Sequence, residues 1–285
     1  MSAQASLLPG NRLHLNHGPI DLVISADGER ADVRSAYQVA AAIFPNILPE
    51  LVAKLAVLRA PVGEIRPMVM NAIAQRMVDA VWPYRDVFIT PMAAVAGSVA
   101  EHVLSAMVDA APLQRAIVNN GGDIAIHLAD GQSLRAGVVG DLSLPRMDAT
   151  IEIASGDPMR GIATSGWRGR SQSLGIADSV TVLAATASMA DAAATMIANA
   201  VNVDDPAIQR MSACEVRDDS DLGDLPVTVA VGLLSSHKVE QALENGVHCA
   251  AELQARGLIV AAYLQLQDQV RVFGDIASSL PSRAA

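Results

Sequence analysis

Arg115-Ala-Ile-Val-Asn119 and Asp123-Ile-Ala-Ile-His127 are short apolar runs with polar ends, set on either side of Asn119-Asn120-Gly121-Gly122-Asp123. Short runs rich in Ile and Val bounded by a turn read as strands, and Asn-Gly supplies the positive φ values that a two-residue hairpin turn requires. Leu134 to Val139 and Thr150 to Ile153 continue the pattern, so the middle of the chain reads as a four-stranded antiparallel meander. Upstream, Ile20 to Ile24 forms a strand and Ala31 to Phe44 a helix that stops at Pro45, with a second helix starting at Pro49. His14 and His17 fall in a mobile or edge segment. Pro67 suits the first turn of a helix over Met68 to Trp82, Val87 to Thr90 is a short strand, and Ala93 to Ala110 is an Ala-rich helical segment. Downstream come the strand Ser179 to Ala184, the helix Met189 to Val201, the strand Val227 to Leu234, and a helix from Lys238 to Arg256 closed by Gly257. The strands Leu258 to Gln265 and Gln269 to Phe273 end the series. Helix runs and strand runs are partly segregated, which predicts an α+β fold rather than a doubly wound one. Residues 1–285 are expected to form one domain of mixed and antiparallel sheets flanked by helices, in two closely packed lobes.

The chain is 51% apolar but only 3% aromatic, so its core must be built from Ala, Val, Leu, Ile and Met packed at short range. Thirty acidic residues against twenty Lys and Arg give a net charge of −10, and no basic stripe carries interleaved aromatics. A nucleic-acid partner is not expected. Cys214 and Cys249 form no CxxC pair, which argues against zinc or a disulfide framework. Met1 to Pro9 lacks the charged start and apolar stretch of a leader, and the apolar stretches Val182 to Ala187 and Leu258 to Leu264 fall short of the ~20 residues a bilayer span needs. A cytoplasmic protein without a membrane span is therefore expected, and an Ala-rich surface suits a helix-mediated homodimer.

Gly161-Ile-Ala-Thr-Ser-Gly166, followed by Trp167-Arg168-Gly-Arg170-Ser171, is a small-residue turn beside two permanent cations. Such a turn lets backbone N–H groups and hydroxyls approach an anion closely, which suits a phosphate. Asp191 and Thr195 are spaced i and i+4 within Ala190-Asp-Ala-Ala-Ala-Thr195, so on a helix both oxygens share one face. A carboxylate beside a hydroxyl suits Mg²⁺, which takes few protein oxygens and completes its shell with water and substrate phosphates. Trp167 either stacks on a ligand ring or covers a core edge.

Five segments, Ala96-Gly-Ser-Val-Ala-Glu101, Asn119-Asn-Gly-Gly-Asp-Ile124, Ala163-Thr-Ser-Gly166, Ser179-Val-Thr-Val182 and Ala190 to Thr195, together resemble, in order, the ApbE superfamily. Its flavin transferases move FMN from FAD onto protein Ser or Thr. Pro91-Met-Ala-Ala-Val-Ala-Gly97 and Gly175-Ile-Ala-Asp-Ser179 are similar to an uncharacterised cytoplasmic branch of it. The resemblance implies an ApbE-like fold, Mg²⁺ on Asp191 and Thr195, and a flavin nucleotide lined by Asn120, Gly121 and Gly122 and by Thr164, Ser165 and Gly166. It also departs from the transferases. Ala96 stands where they carry lysine, Glu101 where they carry aspartate, and Ser171 to Asp178 lacks their His-x-x-Asp-Pro segment.

Two function classes follow. One is a Mg²⁺-dependent enzyme that binds FAD or a related nucleotide-type ligand and performs phosphoryl or nucleotidyl-type transfer to a protein acceptor, with Arg168 and Arg170 positioning the moving group. Glu101, Asp123 and Asp178 are each able to serve as its general base, and spacing does not rank them. The alternative is a non-catalytic flavin or nucleotide-binding protein that kept the pocket and lost the transfer machinery.

Overall fold

The computed structural model describes residues 2–138, 149–169 and 171–274. It opens with three strands, β1 (Gln4–Leu8), β2 (Arg12–His17) and β3 (Ile20–Asp27), followed by the helices α1 (Arg30–Val52), α2 (Leu55–Leu58), α3 (Ala72–Val81) and α4 (Val95–Ala110). The strands β4 (Arg115–Asn120), β5 (Asp123–Leu128), β6 (Ser133–Val138), β7 (Ala149–Ala154), β8 (Gly161–Ser165) and β9 (Ser179–Ala184) come next. Then follow α5 (Ala187–Ala200), β10 (Ile208–Ser212), α6 (Ala213–Val216), β11 (Pro226–Val231), α7 (Ser236–Ala255), β12 (Ala261–Leu266) and β13 (Gln269–Phe273). This is the expected α+β class. The chain divides into two compact units, the first made of Met1–Ser133, Ala154–Ala163 and Ala184–Ala192, the second of Leu134–Ile153, Thr164–Leu183 and Ala193–Ala285.

In the first unit the strands follow the order β1-β2-β3-β4-β5-β8, and each neighbouring pair is antiparallel. β2 buries Leu13, Leu15 and His17 and β3 buries Ile20, Leu22 and Ile24, the period of two expected of half-buried strands. His14 and His17 thus lie on an inner strand, not in a mobile or edge segment, because the edge is taken by β1.

α1 runs unbroken through Pro45 and Pro49, where the prolines alone predict a stop and a restart. Each proline costs a helix interior roughly 3 kcal/mol. Against that, Val33, Phe44, Ile47 and Leu51 lie on one buried stripe, and burying each such side chain is worth about 1.5–3 kcal/mol. α3 begins at Ala72 instead of Met68, because the Asn71 side chain accepts from the N–H of Ala74 at 2.8 Å and caps it. Met68 and Met70, inside the expected helix, are 93% and 95% exposed. Val87–Thr90 is no strand. The Ile89 carbonyl accepts from Val62 N–H, a loop-to-loop bond.

α4 packs against α1, α3, β4 and β5. Pro91–Ala110 is long and apolar enough to cross a membrane by length and composition, which an uninterrupted-run reading of the sequence overlooks; half of that apolar window is buried inside the protein.

The predicted meander holds only for β4 and β5, which meet in the register Asn120↔Asp123. β6 and β7 form a separate two-stranded sheet, while β5 pairs with β8. The Thr164-Ser165 pair, read as a loop, ends strand β8.

In the second unit β9, β12 and β13 are antiparallel neighbours, and β9 is buried at all six positions. β10, absent from the sequence reading, pairs with β11. The Ser235 side chain caps α7 by accepting from Lys238 N–H, and Gly257 at φ +71° closes the helix. Gly246 lets α7 approach closely: a Cβ there would overlap the side chains of Val201 and Leu264.

Candidate functional site

The predicted site residues fall into two groups, one in each unit. In the first unit the N-termini of α4 and α5 meet. Gly97 makes this possible, since a Cβ would overlap the Ala187 carbonyl and the Ser188 nitrogen. Asp191, in the second turn of α5, accepts from the Gly97 N–H at 3.0 Å. Glu101 of α4 accepts in return from the Ser188 N–H at 2.8 Å and the Ser188 hydroxyl at 3.0 Å, and its second oxygen lies 3.7 Å from Arg76 Nε. Each carboxylate thereby satisfies an N–H at the other helix's N-terminus, where four N–H groups lack intrahelical partners.

The β4–β5 hairpin belongs to the same unit. Gly121 and Gly122 both have positive φ, +65° and +116°, as a tight two-residue turn demands. Asn119 Oδ1 accepts from the Gly122 N–H at 2.8 Å, and Asn120 Nδ2 donates to the Ala96 carbonyl at 3.1 Å. Asn120 therefore ties the hairpin to the start of α4, and Asp123 stands close enough to Asp191 to act on its charge. Burial first, then the Asp123 charge, push the Asp191 carboxyl well above the usual carboxylate range; the Gly97 and Ala96 N–H groups oppose this and Glu101 adds to it.

The second unit holds the other group. The hydroxyls of Thr164 and Thr181 lie 2.8 Å apart. A Cβ on Gly166 would overlap the Asp178 carbonyl, so this glycine lets the β8 terminus lie against the segment before β9. Asp178 Oδ1 accepts from Trp167 Nε1 at 3.1 Å and from Arg168 Nε at 2.7 Å, and its Oδ2 accepts from the Gln267 N–H. The Arg168 guanidinium also sits 5.1 Å from the Trp167 ring centre. Trp167 is thus held by its own neighbours, whichever of its two predicted uses applies. Ser165 ends β8 half-buried, Thr195 is half-buried on α5 one turn beyond Asp191, and Arg170 lies outside the described residues.

Sequence reading missed Ser188 and Thr186. Thr186 Oγ1 accepts from the Met189 N–H at 3.3 Å, and the signal was present: a threonine directly before an Ala-rich helical run is an N-cap pattern. Among the described residues no group of three or more His, Cys, Asp or Glu is arranged to hold a metal ion. A divalent cation would instead have few protein oxygens, as Mg²⁺ accepts, and the Asp123–Asp191 pair is a like-charged couple that a cation relieves. The residues present fit such an ion.

The sequence pattern of the family described as AbpE bacteria matches residues 4–272. The chain belongs to this family. It is similar to the UPF0280 protein of Methanococcoides burtonii, 41% identical over 119 residues that cover 41% of this chain and 48% of that protein. The UPF0280 protein of Methanothrix thermoacetophila is 41% identical over 115 residues, covering 40% and 47%. The chain spans about half the length of these curated relatives. In structure it is similar to the apbe protein of Thermotoga maritima, with a TM-score of 0.52 at 12% identity over 95% of this chain and 97% of that one. The expected ApbE-like fold is therefore the fold of this AbpE-family chain.

Proposed function

We propose that this chain is a Mg²⁺-dependent enzyme that binds FAD or a related nucleotide and transfers an FMN-type group to a protein acceptor. One observation carries the reading: Asp191, which accepts from the Gly97 N–H, and the Gly121-Gly122 hairpin, which Asn120 ties to the Ala96 carbonyl, converge on the N-terminus of α4. Asp191 and Thr195 would hold the ion, which when bound neutralises charge on phosphate oxygens. In the first unit the glycine hairpin around Asn120, Gly121 and Gly122 would offer backbone groups to a phosphate or ring edge, and in the second unit Thr164, Ser165 and Gly166 would offer N–H and hydroxyl groups to ligands of the same kind. Arg168 and Arg170 supply cationic charge. Proton transfer is assigned to Asp123 or Asp178, to be separated by the pH–rate profiles of D123N and D178N.

The test is thermal unfolding with FAD, FMN or ATP, each with and without Mg²⁺, followed by an assay of AMP release from FAD. A ligand at 100 times its Kd adds about 2.7 kcal/mol to the native state. A Mg²⁺-dependent shift with FAD that disappears in Asp191→Asn supports the site; an equal shift in that variant sinks it.

A second reading, binding without transfer, is favoured by Ala96, whose methyl group brings no charge and whose carbonyl is occupied by Asn120. It predicts stoichiometric FAD binding and no AMP release over long incubation.

A further inference from the structure

Two helices, α4 and α5, are locked together by two carboxylates that run in opposite directions. Gly97 and Glu101 stand one turn apart on α4, and Ser188 and Asp191 one turn apart on α5. Glu101 reaches across to the N–H and hydroxyl of Ser188, and Asp191 reaches back to the N–H of Gly97. The four residues close a ring of two helical turns and two carboxylate links. Its tightness is set by Gly97, which leaves no room for a side chain between the helices. Both oxygens of Glu101 are committed, one to Ser188 and the other facing Arg76 Nε at 3.7 Å, and its side chain is only 17% exposed. A carboxylate held on both sides in this way has a fixed geometry.

We infer that Glu101 is a positioning residue: by gripping the first turn of α5 it sets the orientation in which Asp191 meets a divalent cation. The inference rests on the cation reading proposed above and goes beyond it in assigning that part to Glu101. What Glu101 supplies is an acceptor oxygen at a fixed reach, so geometry and not charge is the property that matters. Glutamine keeps that oxygen and loses the charge. Aspartate keeps the charge and withdraws the oxygen by one methylene. Alanine loses both.

The experiment is a titration of the full chain with Mn²⁺ alone, followed by the electron paramagnetic resonance of the free ion, for wild type, E101Q, E101D, E101A and D191N. Circular dichroism and the thermal midpoint are recorded for each. Residues that orient metal ligands typically cost 10–100-fold in affinity when removed, so E101A and E101D are expected to bind about tenfold or more weakly while E101Q stays within about threefold of wild type. Three results overturn the inference. E101A that binds like wild type despite a lowered midpoint makes Glu101 merely structural. E101D like wild type with E101Q weakened makes charge the relevant property. Wild type that binds no Mn²⁺ removes the cation site itself, a failure visible without any variant. Should E101A not fold, the contrast between E101Q and E101D decides.

Discussion

At the scale of single residues, Asp178 of the second unit holds Trp167, Arg168 and the Gln267 N–H at once. Its side chain is 10% exposed while that of Arg168 is 53% exposed, so solvent weakens the ion pair and leaves the Trp167 and backbone bonds as the main contribution. Asp178→Ala is expected to cost about 2 kcal/mol, the scale of hydrogen bonds to a charged acceptor. Acrylamide should then quench tryptophan emission more strongly, since Trp167 loses its anchor; unchanged quenching and stability count against the anchoring geometry. His102 offers a pH test. Burial, then Arg76, hold its imidazole below the ordinary value, with Glu50 opposing. A folded-state value below the unfolded one means that the unfolded chain binds the proton more readily. Stability is therefore full above the unfolded pKa, about 6.5, and falls as pH drops through the folded value. His102→Gln should narrow the gap between urea midpoints at pH 7.5 and pH 5, and an unaltered gap rejects this assignment.

At the scale of elements, close approach and capping decide where helices sit and start. Gly97→Ala forces a methyl group into the Ala187 carbonyl, and overpacking of this kind costs about 1–3 kcal/mol. Denaturant unfolding of G97A measures it, and a change within experimental error means that α4 and α5 are not in contact there. Asn71→Ala removes the cap of α3 and should lower stability by about 1 kcal/mol, whereas Met68→Ser, three residues earlier and exposed, should be close to neutral. These two variants separate the observed start of α3 from the start that Pro67 suggested. Some of this was legible. Gly121 and Gly122 read correctly as a turn because a hairpin is a local device, and Gly257 closes α7 for the same reason, whereas the Ser235 cap starts that helix at Ser236, ahead of the expected Lys238. The course of α1 was not, because local backbone preference at Pro45 and Pro49 is outweighed by partners on other elements.

At the scale of the whole molecule, charge is the property that sequence alone supplies. A net charge of −10 and an isoelectric point near 5.0 predict a solubility minimum near that pH and good solubility at pH 7.5. Turbidity against pH checks this, and a minimum far from 5 would show that patches rather than net charge govern association. Peroxide should oxidise Met68 and Met70 before Met77 and Met107, which are fully buried, as peptide mass spectrometry would record.

The α+β class, the β4–β5 turn, most strands and helices, and the family motifs were legible in the residues alone. All of these depend on residues a few positions apart. Only the tertiary structure decided that β6 and β7 pair with each other, that His17 is buried, and that β5 meets β8. It alone placed Glu101 against Ser188, 87 positions away, and Asp191 against Gly97, 94 positions away. Such contacts carry no periodic signal. They arise where two helix ends with unsatisfied N–H groups come close enough for a carboxylate from each to reach the other, and that proximity is set by packing.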